Sequence, residues 1–205
     1  MTRSEDREAN AMASEHHILL SDPAWAGPTA YRTSGIDTIM NLGRRLETDP
    51  GAFAFELRVD SKALDPAAFA PLDWHDPRGG QPLFSERMAT VLEQAGVANI
   101  DYYPVRVRYQ PTGAEVNYRL ANVIGLISAL DTAASEVSAD DDDGFIFDIA
   151  SMRLDPSKCR GLDLFRLKEM PNLMIVSLAL KRVLEGSGLT GFRVIEDHEW
   201  QPGMI

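Results

Sequence analysis

Two segments 92 residues apart follow one pattern, and that pattern is the tightest limit on how the chain folds. In the first, Ser85 precedes an apolar stripe of Met88, Val91 and Leu92, and Gly96 ends the segment. In the second, Ser177 precedes Leu180, Val183 and Leu184, and Gly188 ends it. A serine hydroxyl ahead of such a stripe accepts from the first unpaired helical N–H groups, and a glycine after it takes the left-handed turn that stops a helix. Each stripe is followed by a β-rich run, residues 100–109 and 191–195. In the first run Val105, Val107 and Tyr109 share one face, with Arg106 and Arg108 on the other. The pattern predicts two equivalent helix–strand units, one in each of the halves 17–110 and 111–205. Two copies are too few for a solenoid, so the expectation is a pseudo-duplicated α+β body with both helices packed on sheet.

Strands are predicted at 17–20, 53–59, 145–149 and 162–167. The clearest is 53–59, where Phe53, Phe55, Leu57 and Val59 alternate with polar residues. Leu120, Val123, Ile124, Ile127 and Leu130 recur at helical spacing, although their β-branched content leaves a strand open. No regular βαβ period appears, so the sheet is expected to be mixed or antiparallel. Residues 66–82 form a long connection rich in Pro and Gly that contains Trp74 and His75, and residues 135–144 read as a polar loop. Residues 1–16 read as a flexible leader with nothing to bury, and 17–205 as a single domain. With 205 residues, 44% of them hydrophobic, the chain is long enough to bury about 70% of its unfolded surface without a disulfide or metal.

The 31 acidic residues outnumber the 20 basic ones, for a net charge of -11 spread over both halves. Such a field repels phosphate backbones and attracts basic proteins, so nucleic acid is not an expected partner. The leader has no apolar core of a secretion signal, and no run is long enough to span a bilayer. Together with one cysteine, Cys159, which forbids an internal disulfide, these features predict a cytoplasmic protein without a membrane partner.

Catalytic chemistry finds no support in the motifs. Asp140, Asp141, Asp142 and Asp143 are consecutive, whereas a calcium loop needs alternating ligands, a glycine turn and a distal glutamate. His16, His17, His75 and His198 fit no zinc spacing, and Ser85 and Ser177 are caps rather than nucleophiles. No catalytic, metal-binding or cofactor-binding residue is assigned, and no cofactor is expected. The aspartate run reads as a solvated loop or a contact patch for a cationic partner. Trp25, Trp74 and Trp200 lie in loop-like or terminal segments, where a tryptophan either anchors an interface or packs over the ends of the core.

The C-terminal third carries a resemblance. Leu164, Phe165, Arg166 and Leu167, the serine-headed helix after Ile175 and Val176, and the closing Leu189, Thr190, Gly191 and Phe192 resemble predicted bacterial immunity proteins of polymorphic toxin loci, a family first described from myxobacteria as a domain of unknown function. Ala129, Leu130, Asp131 and Ser135, with Trp25 and Gly27, suit the same pattern. The resemblance covers about residues 17–196. It implies a cytoplasmic protein that binds and neutralises a cognate toxin delivered by contact-dependent or type VI-like secretion, and it implies no catalytic residues. Asp140, Asp141, Asp142, Asp143 and Trp74 are the expected contacts with a basic toxin. The alternatives are a hydrolase or transferase with its site at the 66–82 loop near His75, or an accessory protein that binds an effector without inhibiting it. The oligomeric state is not legible.

Overall fold

A computed structural model of the chain describes residues 15–22, 27–34, 41–47, 53–59, 69–77, 82–140, 142, 144, 146–159 and 161–204. Among these the architecture is α+β, mostly sheet, with two α-helices and a mixture of parallel and antiparallel pairing. Residues 1–14 of the expected leader, residues 23–26 with Trp25, and parts of the 66–82 connection lie outside the described residues, and His16, the last residue of that leader, is instead a buried part of the first strand.

The strands are β1 (His16–Ser21), β2 (Thr29–Ser34), β3 (Phe53–Arg58), β4 (Trp74–His75), β5 (Leu83–Ser85), β6 (Ile100–Tyr109), β7 (Glu115–Val116) and β8 (Tyr118–Val123). They continue with β9 (Leu126–Ile127), β10 (Glu136–Ala139), β11 (Ile146–Ser151), β12 (Leu164–Leu167), β13 (Met170–Ser177) and β14 (Phe192–Ile195). The helices are α1 (Glu86–Gln94) and α2 (Leu178–Gly186). A five-stranded sheet runs β14-β1-β13-β12-β9, and a seven-stranded one runs β2-β3-β6-β8-β5-β4 with β7 beside β6. The N-terminal strand β1 thus sits between two C-terminal strands, antiparallel to both. Its unbroken apolar run is that of a strand covered on both faces. Leu19 joins a cluster with both helices, while Ile18 and Leu20 join another on the opposite face.

Both predicted helices form, each starting directly after a strand. Ser85 Oγ accepts from Met88 N at 3.1 Å, and Ser177 Oγ accepts from Leu180 N at 3.1 Å. Gly96 and Gly188 follow with φ of 85° and 64°, the left-handed stop that the sequence calls for. Met88, Leu92, Leu180 and Leu184 meet Leu19, Phe84, Val123, Leu164, Met174 and Val176 in one core, so the helices share a cluster with residues of both sheets.

Three segments depart from expectation. Residues 120–131 are not helical: Leu120 to Val123 complete β8, which pairs with β5 and β6, and Leu126 and Ile127 form β9. Cross-strand partners decided in favour of the β-branched residues over the helical spacing. The polar segment 135–144 contains strand β10, paired with β11. Strand β13 had no period-2 signal because both its faces are buried, through Leu173, Met174, Ile175 and Val176.

Candidate partner-contact surface

Asp140 and Asp142 of the aspartate run stand in the turn of a hairpin. β10 and β11 pair antiparallel with register shifts, and Asp140 opens the turn between them. Asp140 Oδ1 accepts from Asp142 N at 2.8 Å, and its carbonyl accepts from Gly144 N at 3.0 Å, so the first aspartate folds the turn through its own side chain. Asp140 and Asp142 are exposed, as are Glu136 and Asp148 on the strands. Asp141 and Asp143 lie outside the described residues. Residues 132–152 contain six acids and neither Lys nor Arg, which makes this hairpin a concentrated source of negative field.

The body holds the hairpin by one face. Ile149 is buried, and Val137 and Ile146 pack beside it against the cluster of Ile18, Leu20, Phe165, Ile175 and Trp200. Trp200 is 4% exposed and donates Nε1–H to the Ile149 carbonyl at 2.8 Å. Of the two roles open to Trp200, packing over the core is the one it takes. On the other side of the strand Phe147 points outward, 65% exposed. Sequence reasoning missed it, because the alternation of Ile146, Phe147, Asp148 and Ile149 is broken by the register shifts and does not show which aromatic faces out.

Trp74, expected among the contacts, is instead a core residue. It is 2% exposed, edge-on to Phe84 at 5.5 Å and stacked with Phe192 at 6.4 Å between ring centres. It belongs to the cluster on the opposite side of the five-stranded sheet from the hairpin, so the structure does not bring Trp74 and the aspartates together.

His75, the centre of the enzymatic alternative, lines a cavity of about 390 Å³ with Asp22 and Asp76. Its Nε2 accepts from Leu72 N at 3.1 Å, its ring also bonds the Pro28 backbone, and burial lowers its pKa to about 4. The imidazole is therefore neutral near pH 7 with both nitrogens committed to backbone, which leaves no lone pair to take a substrate proton. Cys159 is fully buried, and burial pushes its thiol up to about 11, the state of an inert core cysteine. Among the described residues no group of three or more His, Cys, Asp or Glu side chains is placed to hold a metal ion. No helix among them is long and apolar enough to cross a membrane.

The sequence profile of the immunity protein family (Imm11) matches residues 44–197, three quarters of the chain. The chain belongs to that family. Comparison with curated proteins gave no match.

In this Imm11 protein the residues that carried the resemblance turn out to hold the fold. Phe165 and Arg166 are both fully buried, and the Arg166 guanidinium donates to the Pro171 carbonyl at 2.9 Å across the β12–β13 turn. Thr190 N and Oγ1 donate to Asp73 Oδ2 at 2.9 and 3.1 Å, and Trp74 N donates to the Thr190 carbonyl at 3.1 Å. At Gly191, φ is 93°, and a Cβ would run into the Trp74 carbonyl oxygen, with Leu72 Cβ at 3.0 Å. The Leu-Thr-Gly-Phe segment is thus a clasp between the two helix-bearing regions, and the exposed hairpin is a separate feature.

Proposed function

We propose that this immunity protein protects its producer by binding a cognate toxin in the cytoplasm and covering the toxin's active site or substrate groove, with no bond made or broken. The acidic run Asp140, Asp141, Asp142 and Asp143, of which Asp140 and Asp142 stand in the β10–β11 turn, steers a basic toxin into register. The single observation that carries the reading is the family match over residues 44–197. The base-free acidic hairpin supports its finer part, since concentrated charge of one sign accelerates encounter with a complementary partner. We infer too that the two Ser-capped regions are copies of one structural unit, a reading favoured by their matched hydrogen bonds.

Co-expression with the polypeptide encoded by the neighbouring open reading frame tests the role. Growth rescue by this chain is the expected result, and binding without rescue would make it a non-inhibitory accessory. Replacing Asp140, Asp141, Asp142 and Asp143 by lysine is expected to slow association and remove its salt dependence. Unchanged kinetics would place the steering surface elsewhere.

A further inference from the structure

The two faces of the β10–β11 hairpin have opposite fates, and the outer one has no explanation within the folded chain. Val137, Ile146 and Ile149 bury themselves in the body, while Phe147 at 65% exposure is the most exposed of the large hydrophobic side chains described, ahead of Tyr31 at 46%. A lone exposed aromatic is ordinary on a protein surface. Phe147 differs in its setting. It projects from a strand fastened two residues away by the Trp200–Ile149 hydrogen bond, so it is presented on a rigid support and loses little freedom when covered. The same hairpin carries Glu136, Asp140, Asp142 and Asp148, all exposed, with no basic residue between 132 and 152 to offset them.

Resting on the reading that this chain binds a toxin, we infer that Phe147 is the apolar anchor of that contact. It seats in a hydrophobic recess of a cationic protein while the hairpin's carboxylates pair with lysines and arginines at the rim. An aromatic anchor accompanied by rim charge is the arrangement that gives both affinity and specificity at protein interfaces. The charge selects this occupant over others. A second copy meeting this hairpin with its own would set acid against acid with no base to answer it, and an anionic lipid surface or nucleic acid would be repelled in the same way.

Kinetics separate the two parts of the surface, using the neighbouring open reading frame's product, rendered inactive, as probe. Phe147→Ala is expected to weaken binding about 30-fold or more, mainly through faster dissociation. Asp140→Asn with Asp142→Asn is expected to slow association chiefly at low salt and to leave dissociation nearly unchanged. Because Phe147 is solvent-facing, the melting temperature of Phe147→Ala should match that of the parent chain, which shows the variant is folded. If Phe147→Ala binds as tightly as the parent, the anchor assignment is overturned while the immunity reading stands. If Phe147→Ala instead only abolishes self-association, the recess belongs to a second copy and the inference fails. If the parent chain neither binds the probe nor rescues growth, the immunity reading falls and takes the anchor with it.

Discussion

The two Ser-capped helices are built by the same local chemistry and held by different surroundings. In each, an aspartate one residue ahead of a neighbouring strand accepts the capping hydroxyl: Ser85 Oγ donates to Asp73 at 2.7 Å and Ser177 Oγ donates to Asp163 at 2.5 Å. In each, the serine N–H donates to the backbone carbonyl of that same aspartate, at 2.8 and 3.0 Å. Each post-helix segment then reaches across to the other region. Asn99 donates to the Leu164 carbonyl at 2.8 Å, and Thr190 accepts from Trp74 N at 3.1 Å. The difference is burial. Asp73 is 8% exposed and also takes two bonds from Thr190 and a 3.4 Å ion pair from Arg87, whose other nitrogen donates to the Ser187 carbonyl at the end of α2. Asp163 is exposed, and Ser177 is the partner its side chain serves. One motif is a cap, and the other has become a joint between the two regions.

That difference is broken most severely at Gly191, where the joint closes. An alanine there meets both a left-handed φ and the Trp74 backbone carbonyl, and neither obstacle is a flexible side-chain end. Gly191→Ala should cost about 3 kcal/mol or more, or abolish folding, in urea-unfolding measurements. A loss below about 1 kcal/mol would mean that the clasp is looser than its geometry states.

Acid comes next: burial lowers the pKa of His16 and His17 beside the second region as well, and the large shift is at His75 in the first. His75 sits two residues after Asp73; the residue two after Asp163 is Phe165, which does not titrate. With its folded pKa lowered from 6.5 to about 4, His75 binds its proton more readily in the unfolded chain. Its contribution is therefore complete above about pH 6.5 and is lost as pH falls towards 4, by about 3 kcal/mol at most. His75→Phe should be less stable than the parent at pH 7, since it orphans the Leu72 N–H, yet should show a flatter fall between those pH values. Equal slopes in the two proteins would show that His75 is not the titrating group.

Removing the two aspartates contrasts the regions directly. Asp73→Ala leaves Ser85, Thr190 and Arg87 without their shared acceptor in a buried place, a loss of about 2–3 kcal/mol. Asp163→Ala frees one hydroxyl that water reaches, a loss of about 0.5 kcal/mol. Thermal or urea unfolding of the pair tests the ratio, and equal losses would erase the distinction between cap and joint.

What the sequence made legible follows from which interactions are local. Both helices, their caps and their glycine stops could be read because Ser85, Ser177, Gly96 and Gly188 act within a few residues of themselves. Strand β3 was equally plain, since one covered face writes alternation into Phe53, Phe55 and Leu57. The helical spacing over 120–131 misled because Leu120, Ala121 and Val123 answer to partners on β5 and β6. At the candidate surface the acids at Asp140 and Asp142 were visible as composition. Phe147 was not, because its outward direction depends on two register shifts and on a tryptophan 53 residues away. Trp74 looked like a loop tryptophan, and only the return of Phe192 shows that it is covered.

The smallest effect is the sharpest test of the comparison, because it alters one hydroxyl in each region. Each serine oxygen satisfies one otherwise unpaired N–H in a first helical turn, so Ser→Ala carries a base cost of about 1 kcal/mol. Ser177→Ala should show that cost and little else, because Asp163 is free to turn to solvent. Ser85→Ala should exceed it, because Asp73 then keeps a buried oxygen with its hydroxyl donor gone. In the double variant Ser85→Ala with Asp73→Ala the excess should vanish into the Asp73 loss, giving a non-additive cycle, whereas Ser177→Ala with Asp163→Ala should be close to additive. Additivity at both sites would reduce Asp73 to an ordinary cap partner and leave Gly191 as the sole mark of the joint.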